Sequence, residues 1–403
     1  MIKIFPNLLV SVYSVLREIF QQNQLADIAL ERSFKQNKKY GSRDRRFVAE
    51  AVYDVIRNYR LYSFAAVREE GDFSDAALRK LVQTSFFHRK VDAQPLIDDA
   101  DWVSRCISRL GDVNKRKYIY SLPDWLDTYG LEQLGEVWEE EMKNQHTPAD
   151  VFLRVNTIKA TREEAAKALL AEGIETDIYD GTEQPADLLK LKERGNVFRT
   201  EAFKKGMFEV QDGGSQLISL FVDPKPGERV IDACAGGGGK SLHLAALMKN
   251  KGKIISMDTV QWKLDELKKR ARRNGVDIIE TKLIESTKAI KRLAGSADKV
   301  LLDVPCSGSG VFRRNPDAKW KLSLERIAEL IELQQKILHD YAGMVKPGGT
   351  LVYSTCSVFP EENERQIEKF LKGEGGFKKV EEKHVKTGSS GFDGFYMAKL
   401  IAD

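Results

Sequence analysis

Cysteine is scarce in this chain of 403 residues, and the scarcity excludes two chemistries. Cys106, Cys234, Cys306 and Cys356 stand far apart, and none belongs to a CxxC pair. Zinc sites draw paired ligands at short spacing, so neither zinc nor another metal is expected. Isolated thiols in so long a chain do not make a disulfide scaffold; they fit a reducing cytoplasm. Long apolar runs are missing too. No stretch approaches the roughly 18 apolar residues a membrane span needs. The opening MIKIFPNLLVSVYSVLREIF is broken by Pro6, ends in Arg17 and Glu18, and offers no small-residue cleavage site. It reads as a helix rather than a signal peptide. Repeats and low-complexity tracts are also absent.

Charge of one sign is lacking overall, with a net of +4, but the balance is uneven. Residues 1–120 hold 21 Lys and Arg against 15 Asp and Glu, so the basic excess lies in the first third. That excess points to a nucleic-acid partner there. The densest run, KQNKKYGSRDRR at 35–46, is either a solvated loop or a surface for phosphate contacts.

What is present divides into three textures. Residues 8–115 carry apolar positions every three or four residues and predict a bundle of five or six helices. Pro123 in YSLPDW marks a boundary. After two more helical pieces, VFLRVNT, IETDIYD, LLKLKE and MFEVQD read as short strands around the helix TREEAAKALLAEG, which Thr161 caps. This is a small α+β domain. From 224 onward, apolar strands alternate with amphipathic helices, the pattern of a doubly wound α/β sheet, and two late strands near 377–380 and 394–400 read as a hairpin.

Four motifs in this last part fall where strands end, and in open parallel sheets ligands bind at that edge. The first is VIDACAGGGGKSLHLA, a strand running through Cys234 and Ala235 into Gly236, Gly237, Gly238 and Gly239, then a helix from Lys240. Glycines allow a tight turn and close approach to a ligand. It is no Walker A loop, because Cys234 stands where that motif needs its first glycine, and the GxGxxG pattern is not met. The second is Asp258, 22 positions after Gly236 at the next strand end. An acid there can accept both hydroxyls of a ribose. The third is DVPCSGSG, placing Asp303 and Cys306 past the strand at 299–302; Cys306 alone is equally well read as a small buried residue. The fourth is STCS, placing Cys356 past another strand.

Two thiols, an acid and a nucleoside cofactor suggest methylation of a pyrimidine at C5. That carbon is a poor nucleophile until a thiolate adds to C6; a base must then remove the C5 proton and the thiolate must leave. Asp303 can hold the ring through its amino edge or, if protonated, donate to N3. In RRNPDAKW and its next residue, Arg313, Arg314, Lys319, Trp320 and Lys321 interleave cations with an aromatic. Such a stretch can track an RNA backbone and stack on a splayed base, or it can be a surface loop with a packed Trp.

The set DACAGGGGKS, Asp258, DVPCSGSG, RRNPDAKW, KPGG, STCSVFPEENE and DGFYMAKL, covering 205–403, resembles the RsmB/Nop/NSUN family of RNA cytosine-C5 methyltransferases. EVQDGGSQL and FLRVNT are similar to that family's lead-in, and RRNPDAKW is nearest to its RsmB branch, which acts on bacterial 16S rRNA. The stretch RDRRFVAEAVYDVIRNYRLYSF resembles, more loosely, the NusB-like helical domain of that branch. The resemblance implies a Rossmann-like class I methyltransferase fold at 209–403, a small RRM-like α+β domain at 119–208 and an all-α NusB-like RNA-binding domain at 1–118. It implies S-adenosylmethionine as cofactor, held by the loop 234–240, by Asp258 at the ribose and by Asp303 at the active site. Cys356 would be the nucleophile and Cys306 would assist product release, an order that spacing alone does not give. A monomer acting on small-subunit rRNA in the cytoplasm is expected. A tRNA target, or a non-catalytic RNA-binding assembly factor, is the alternative; the retention of both thiols speaks against the latter. Two departures stand out: four glycines replace the family's Ala-Pro-Gly-Gly, and KLIESTK lacks its Gly-Asp step, leaving Glu285 as the nearest adenine-contacting acid.

Overall fold

The molecule, a computed structural model, is described for residues 6–66, 70–91, 99–178, 185–373, 376–388 and 391–403. Tyr179 and Asp180, part of the expected strand IETDIYD, lie outside the described residues. The chain forms two compact units: the residues up to Thr147 together with Phe312–Leu324, and Pro148–Val311 together with Glu325–Asp403. No helix among the described residues is long and apolar enough to cross a membrane.

The first unit is helical. Its central helix, Ser42–Arg57, buries Val48, Ala51, Val52, Val55 and Ile56, the positions that share one face at 3.6 residues per turn. They pack with Val12, Val15, Leu16, Leu78, Leu81 and Phe86. Asp44 starts this helix by accepting the Gly41 N–H at 2.9 Å, and Ser74 caps Asp75–His88 through the Ala77 N–H. The two units part after Thr147, beyond the expected domain boundary at 118. Asp124–Leu134 and Val137–Gln145 are helices of this unit, and Trp138 is fully buried there. Pro123 opens the first of them, where its missing N–H costs nothing.

The second unit holds two sheets. The smaller has strands β1 Phe152–Val155, β2 Thr176–Ile178, β3 Leu188–Leu191 and β4 Phe208–Val210, in the antiparallel order β2-β3-β1-β4. With helices Arg162–Ala171 after β1 and Glu201–Lys204 before β4, the topology is β-α-β-β-α-β, a ferredoxin-like arrangement. A Thr161–Glu164 capping box starts the first of these helices. Since β4 pairs with β1, the small domain runs past 208, into the region expected to open the catalytic domain.

The larger sheet contains β5 Arg229–Asp232, β6 Lys253–Asp258, β7 Ile279–Leu283, β8 Ala297–Asp303, β9 Val345–Thr355, β10 Phe377–Val385 and β11 Phe395–Ala402. Its order is β10-β11-β9-β8-β5-β6-β7. The first five in sequence are parallel, and the expected late hairpin adds β11 antiparallel to β9 and β10 antiparallel to β11. This mixed sheet is Rossmann-like, as expected. Val300, Leu301 and Leu302 of β8 are all fully buried, as a parallel strand covered on both faces requires. The chain leaves β5 in one direction to β6 and β7, then returns to its other side for β8 and β9. The strand ends at β5 and β8 therefore form the crevice in which ligands bind in such sheets.

Candidate active site

The glycine loop follows β5, and two of its residues have left-handed backbone, Gly236 at φ +53° and Gly238 at φ +84°. A Cβ on Gly238 would lie 2.0 Å from Leu267, so that position must stay bare for the loop to pack on the helix Gln261–Asn274. A Cβ on Gly236 would meet nothing within 4 Å, so the loop opens outward there. Asp258, at the tip of β6, accepts the Gly236 N–H at 2.9 Å on one oxygen and the Val260 N–H at 2.9 Å on the other. Each oxygen keeps lone pairs for further donors, and the carboxylate is aimed beside the open glycine. This donor and acceptor set fits a nucleoside cofactor with a vicinal diol.

Asp232, at the end of β5, is fully buried; one oxygen accepts Ser241 Oγ at 2.6 Å and the other has no partner. Burial pushes its pKa up to about 6, against the Ser241 hydrogen bond, and the Asp303 carboxylate adds to the rise. Because the folded state favours the protonated acid, stability is lost as pH climbs from about 4, the unfolded value, through about 6. Asp232→Asn, which is always neutral, should therefore gain stability over the parent by on the order of 2 kcal/mol between pH 4 and pH 7. Denaturant melts of both proteins across that range measure it, and a pH-independent difference would refute the ionisation.

The register of β8 on β9 sets Asp303 opposite Ser354, which is why the two thiol loops meet. Ser354 Oγ donates to one Asp303 oxygen at 3.0 Å and the Lys240 ammonium donates to the other at 2.5 Å. Burial works against the Lys240 charge, but Asp303 and the Cys356 sulfur beside it hold its pKa above the ordinary value. Beyond the strands, Cys306 Sγ and Cys356 Sγ lie 3.3 Å apart, both half-buried. The loops are also joined through backbone: Gly310 N–H donates to the Cys356 carbonyl at 2.9 Å, and Gly394 N–H to the Gly310 carbonyl at 2.8 Å. Cys234 is different. Burial, then the carboxylates of Asp232, Asp303 and Asp258, push its thiol well up, so it stays protonated.

Most of the residues picked out in the sequence thus converge on one edge of one sheet. Glu285 is exposed, just past β7, with Ile284 bonded to the Asp258 carbonyl at 2.9 Å. Among the described residues its side chain bonds to nothing in the loop, and nothing in its surroundings singles it out.

The RNA-facing reading of RRNPDAKW needs correction. Lys319 is buried and spends its ammonium on the carbonyls of Arg57 at 2.8 Å and Tyr120 at 3.1 Å. Trp320 donates its indole N–H to the Ile56 carbonyl at 2.8 Å and meets Tyr59 edge-on, with centroids 5.1 Å apart. Arg313 is buried as well, and its carbonyl accepts from Arg57 at 3.0 Å; Arg314 is half-buried. Around Lys319 and Trp320 the segment is a structural plug of the helical unit, because the ammonium finds carbonyls and the indole packs on the core.

Sequence reasoning missed two residues. Arg154 looks like the solvent-facing position of an alternating strand, yet all of β1 is buried. Its guanidinium reaches Gln211 at 2.5 Å and the Gly239 carbonyl at 2.6 Å, tying the small domain to the glycine loop. Glu362 sits among surface-like acids in PEENE but is fully buried. It accepts from Ser307 N–H at 2.7 Å, Gln334 Nε2 at 3.0 Å, Ser357 Oγ at 2.5 Å and Ser307 Oγ. No periodicity marks either burial, since both depend on what other segments bring.

Comparisons with known proteins find matches along most of the chain. The model of a family described as 16S rRNA methyltransferase RsmB/F matches residues 219–401, and that of an RsmF/B-like ferredoxin-like domain matches residues 122–197. A probable ribosomal RNA small subunit methyltransferase B of Synechocystis is 32% identical over 89% of this chain and 87% of its own. The crystal structure of PH0851 superposes with a TM-score of 0.81 at 27% identity, covering 99% of both chains. A methyltransferase homologue from Pyrococcus horikoshii has a TM-score of 0.62 at 26% identity, covering 72% of this chain and 98% of its own.

Proposed function

The chain belongs to the RsmB/F family of 16S rRNA methyltransferases, and from that membership we propose that it methylates a cytosine of small-subunit rRNA at C5. The observation that carries the reading is the pair of thiols 3.3 Å apart beside Asp303, on the same strand-end edge as the glycine loop and Asp258. Its cofactor is S-adenosylmethionine, whose sulfonium supplies the methyl group.

In this reading Asp258 accepts the ribose hydroxyls and the loop 234–240 surrounds the cofactor. The target base leaves its stack to reach the site. Cys356 adds as thiolate to C6, and the C5=C6 π electrons become available at C5. Asp303 accepts from the exocyclic amino group, and Lys240 beside it stabilises the charge that builds on the ring. After methyl transfer a base removes the C5 proton, the double bond re-forms and the C6–S bond breaks, releasing Cys356. Cys306 aids that departure. The helical unit, with its basic excess and NusB-like sequence, holds rRNA in this proposal.

Small subunits or 16S rRNA made without modification, incubated with the protein and S-adenosylmethionine and then bisulfite-sequenced, test the proposal. One protected cytosine is expected. Protection of tRNA alone would move the substrate, and methylation at another atom or base would sink the C5 assignment.

A further inference from the structure

Where the edge strand β10 faces the start of the helix Glu364–Gly373, three ligating side chains converge: Glu364, Glu382 and His384. We propose that they bind a divalent transition-metal ion with zinc-like preference for imidazole and carboxylate, which joins the edge strand to the helix. None of the three is a cysteine, so the lack of paired cysteines in the sequence does not bear on this set.

The backbone sets the arrangement. Glu382 and His384 stand two residues apart on β10, so both point to one side of the strand. Across β11 the residue opposite His384 is Tyr396, and Glu364 comes in from the first turn of the helix. His384 Nε2 lies 3.7 Å from Glu382 Oε1 and 4.0 Å from Glu364 Oε2, and the ligand atoms of the three residues all fall within 4.8 Å of one another. Those separations exceed the roughly 3.2 Å limit of a good hydrogen bond, so a shared proton does not join these groups. Ligands about 2.1 Å from one tetrahedral ion stand about 3.4 Å apart, so a modest swing of two flexible glutamate side chains closes the set on an ion.

Two buried polar groups at this point lack partners. Glu364 Oε2 is shielded from solvent and accepts no hydrogen bond. Tyr396 is fully buried, its hydroxyl has no hydrogen-bond partner of normal geometry, and its ring centroid lies 4.9 Å from that of His384. The phenol is aimed at the same carboxylates, since burial, then Glu382 and Glu364, push its pKa up. A bound ion supplies Glu364 Oε2 with its partner, and the phenol then orients a ligating carboxylate from behind, as outer-shell donors do. The charge fits as well. Lys379 takes the other oxygen of Glu382, and two carboxylates against one ammonium leave a negative balance around a neutral imidazole. His384 is half-exposed, which gives an ion its way in.

Calorimetric titration of the full chain with zinc chloride, after treatment with a chelator and desalting, tests this without RNA or S-adenosylmethionine. The parent should bind with a Kd below about 50 µM, and His384→Ala and Glu364→Gln should each weaken that binding at least about tenfold. Thiols also attract zinc, so cobalt(II) gives a second reading on the parent itself. Nitrogen and oxygen ligands produce weak visible bands, which His384→Ala should remove; thiolate ligands add a strong near-ultraviolet charge-transfer band. That band in place of the expected spectrum, or folded variants that bind zinc as the parent does, would put the ion elsewhere and overturn the proposal. A parent Kd above about 50 µM would mean an adventitious ion only and would overturn it equally.

Discussion

Cys356→Ala should abolish methyl transfer, and Cys306→Ala should leave the protein covalently attached to its RNA. Without the Cys356 sulfur nothing adds to C6, and the unactivated C5 does not displace a methyl from a sulfonium. A loss on the order of 10⁴-fold or more in turnover is expected, which corresponds to at least about 5 kcal/mol of barrier. Neither thiol outside the pair can substitute. Cys234 is held protonated by burial and three carboxylates, and Cys106 is buried in the helical unit, with its thiol pushed up. Cys306→Ala leaves the nucleophile in place but removes the S–H that supports the departing sulfur across 3.3 Å. Attack and methylation proceed, release slows, and the adduct accumulates. A denaturing gel with labelled RNA reads both results: no shifted band for Cys356→Ala, and a stable shifted band for Cys306→Ala. A shifted band from Cys356→Ala would reverse the roles of the two thiols.

Asp258→Ala should weaken cofactor binding by about a hundredfold. In the proposed function its carboxylate accepts two charge-assisted hydrogen bonds from a ribose, each contributing about 1.5–3 kcal/mol. The same carboxylate also fixes the loop, since it accepts the Gly236 N–H at 2.9 Å, and Ala forfeits both functions. Titration calorimetry with S-adenosylhomocysteine measures the change without chemistry. The KM for the methyl donor should rise in parallel while kcat at saturation falls far less, because the residue acts on binding and lies away from the thiols. A Kd shifted by less than about threefold would remove Asp258 from the cofactor site.

The sequence by itself determined the parts whose signal is local. Glycines needed for a tight loop, apolar runs for buried parallel strands, an acid and two thiols just past strand ends, and a capping Thr before a helix all act within a few residues of the chain. For that reason the Rossmann-like sheet, the late hairpin and the strand-end positions of Asp258, Asp303, Cys306 and Cys356 were legible. Tertiary structure decided what depends on partners far away in sequence. Trp320 and Lys319 carry the residue types of an RNA contact. They became core because Ile56, Arg57 and Tyr120, about 200 residues or more earlier, supply carbonyls to their donors. Glu362 carries the composition of a surface acid. It became a buried clamp because Ser307 and Gln334, 55 and 28 residues away, bring donors to it. Burial of a polar group is stable only where such donors or acceptors converge, and convergence is a property of the fold.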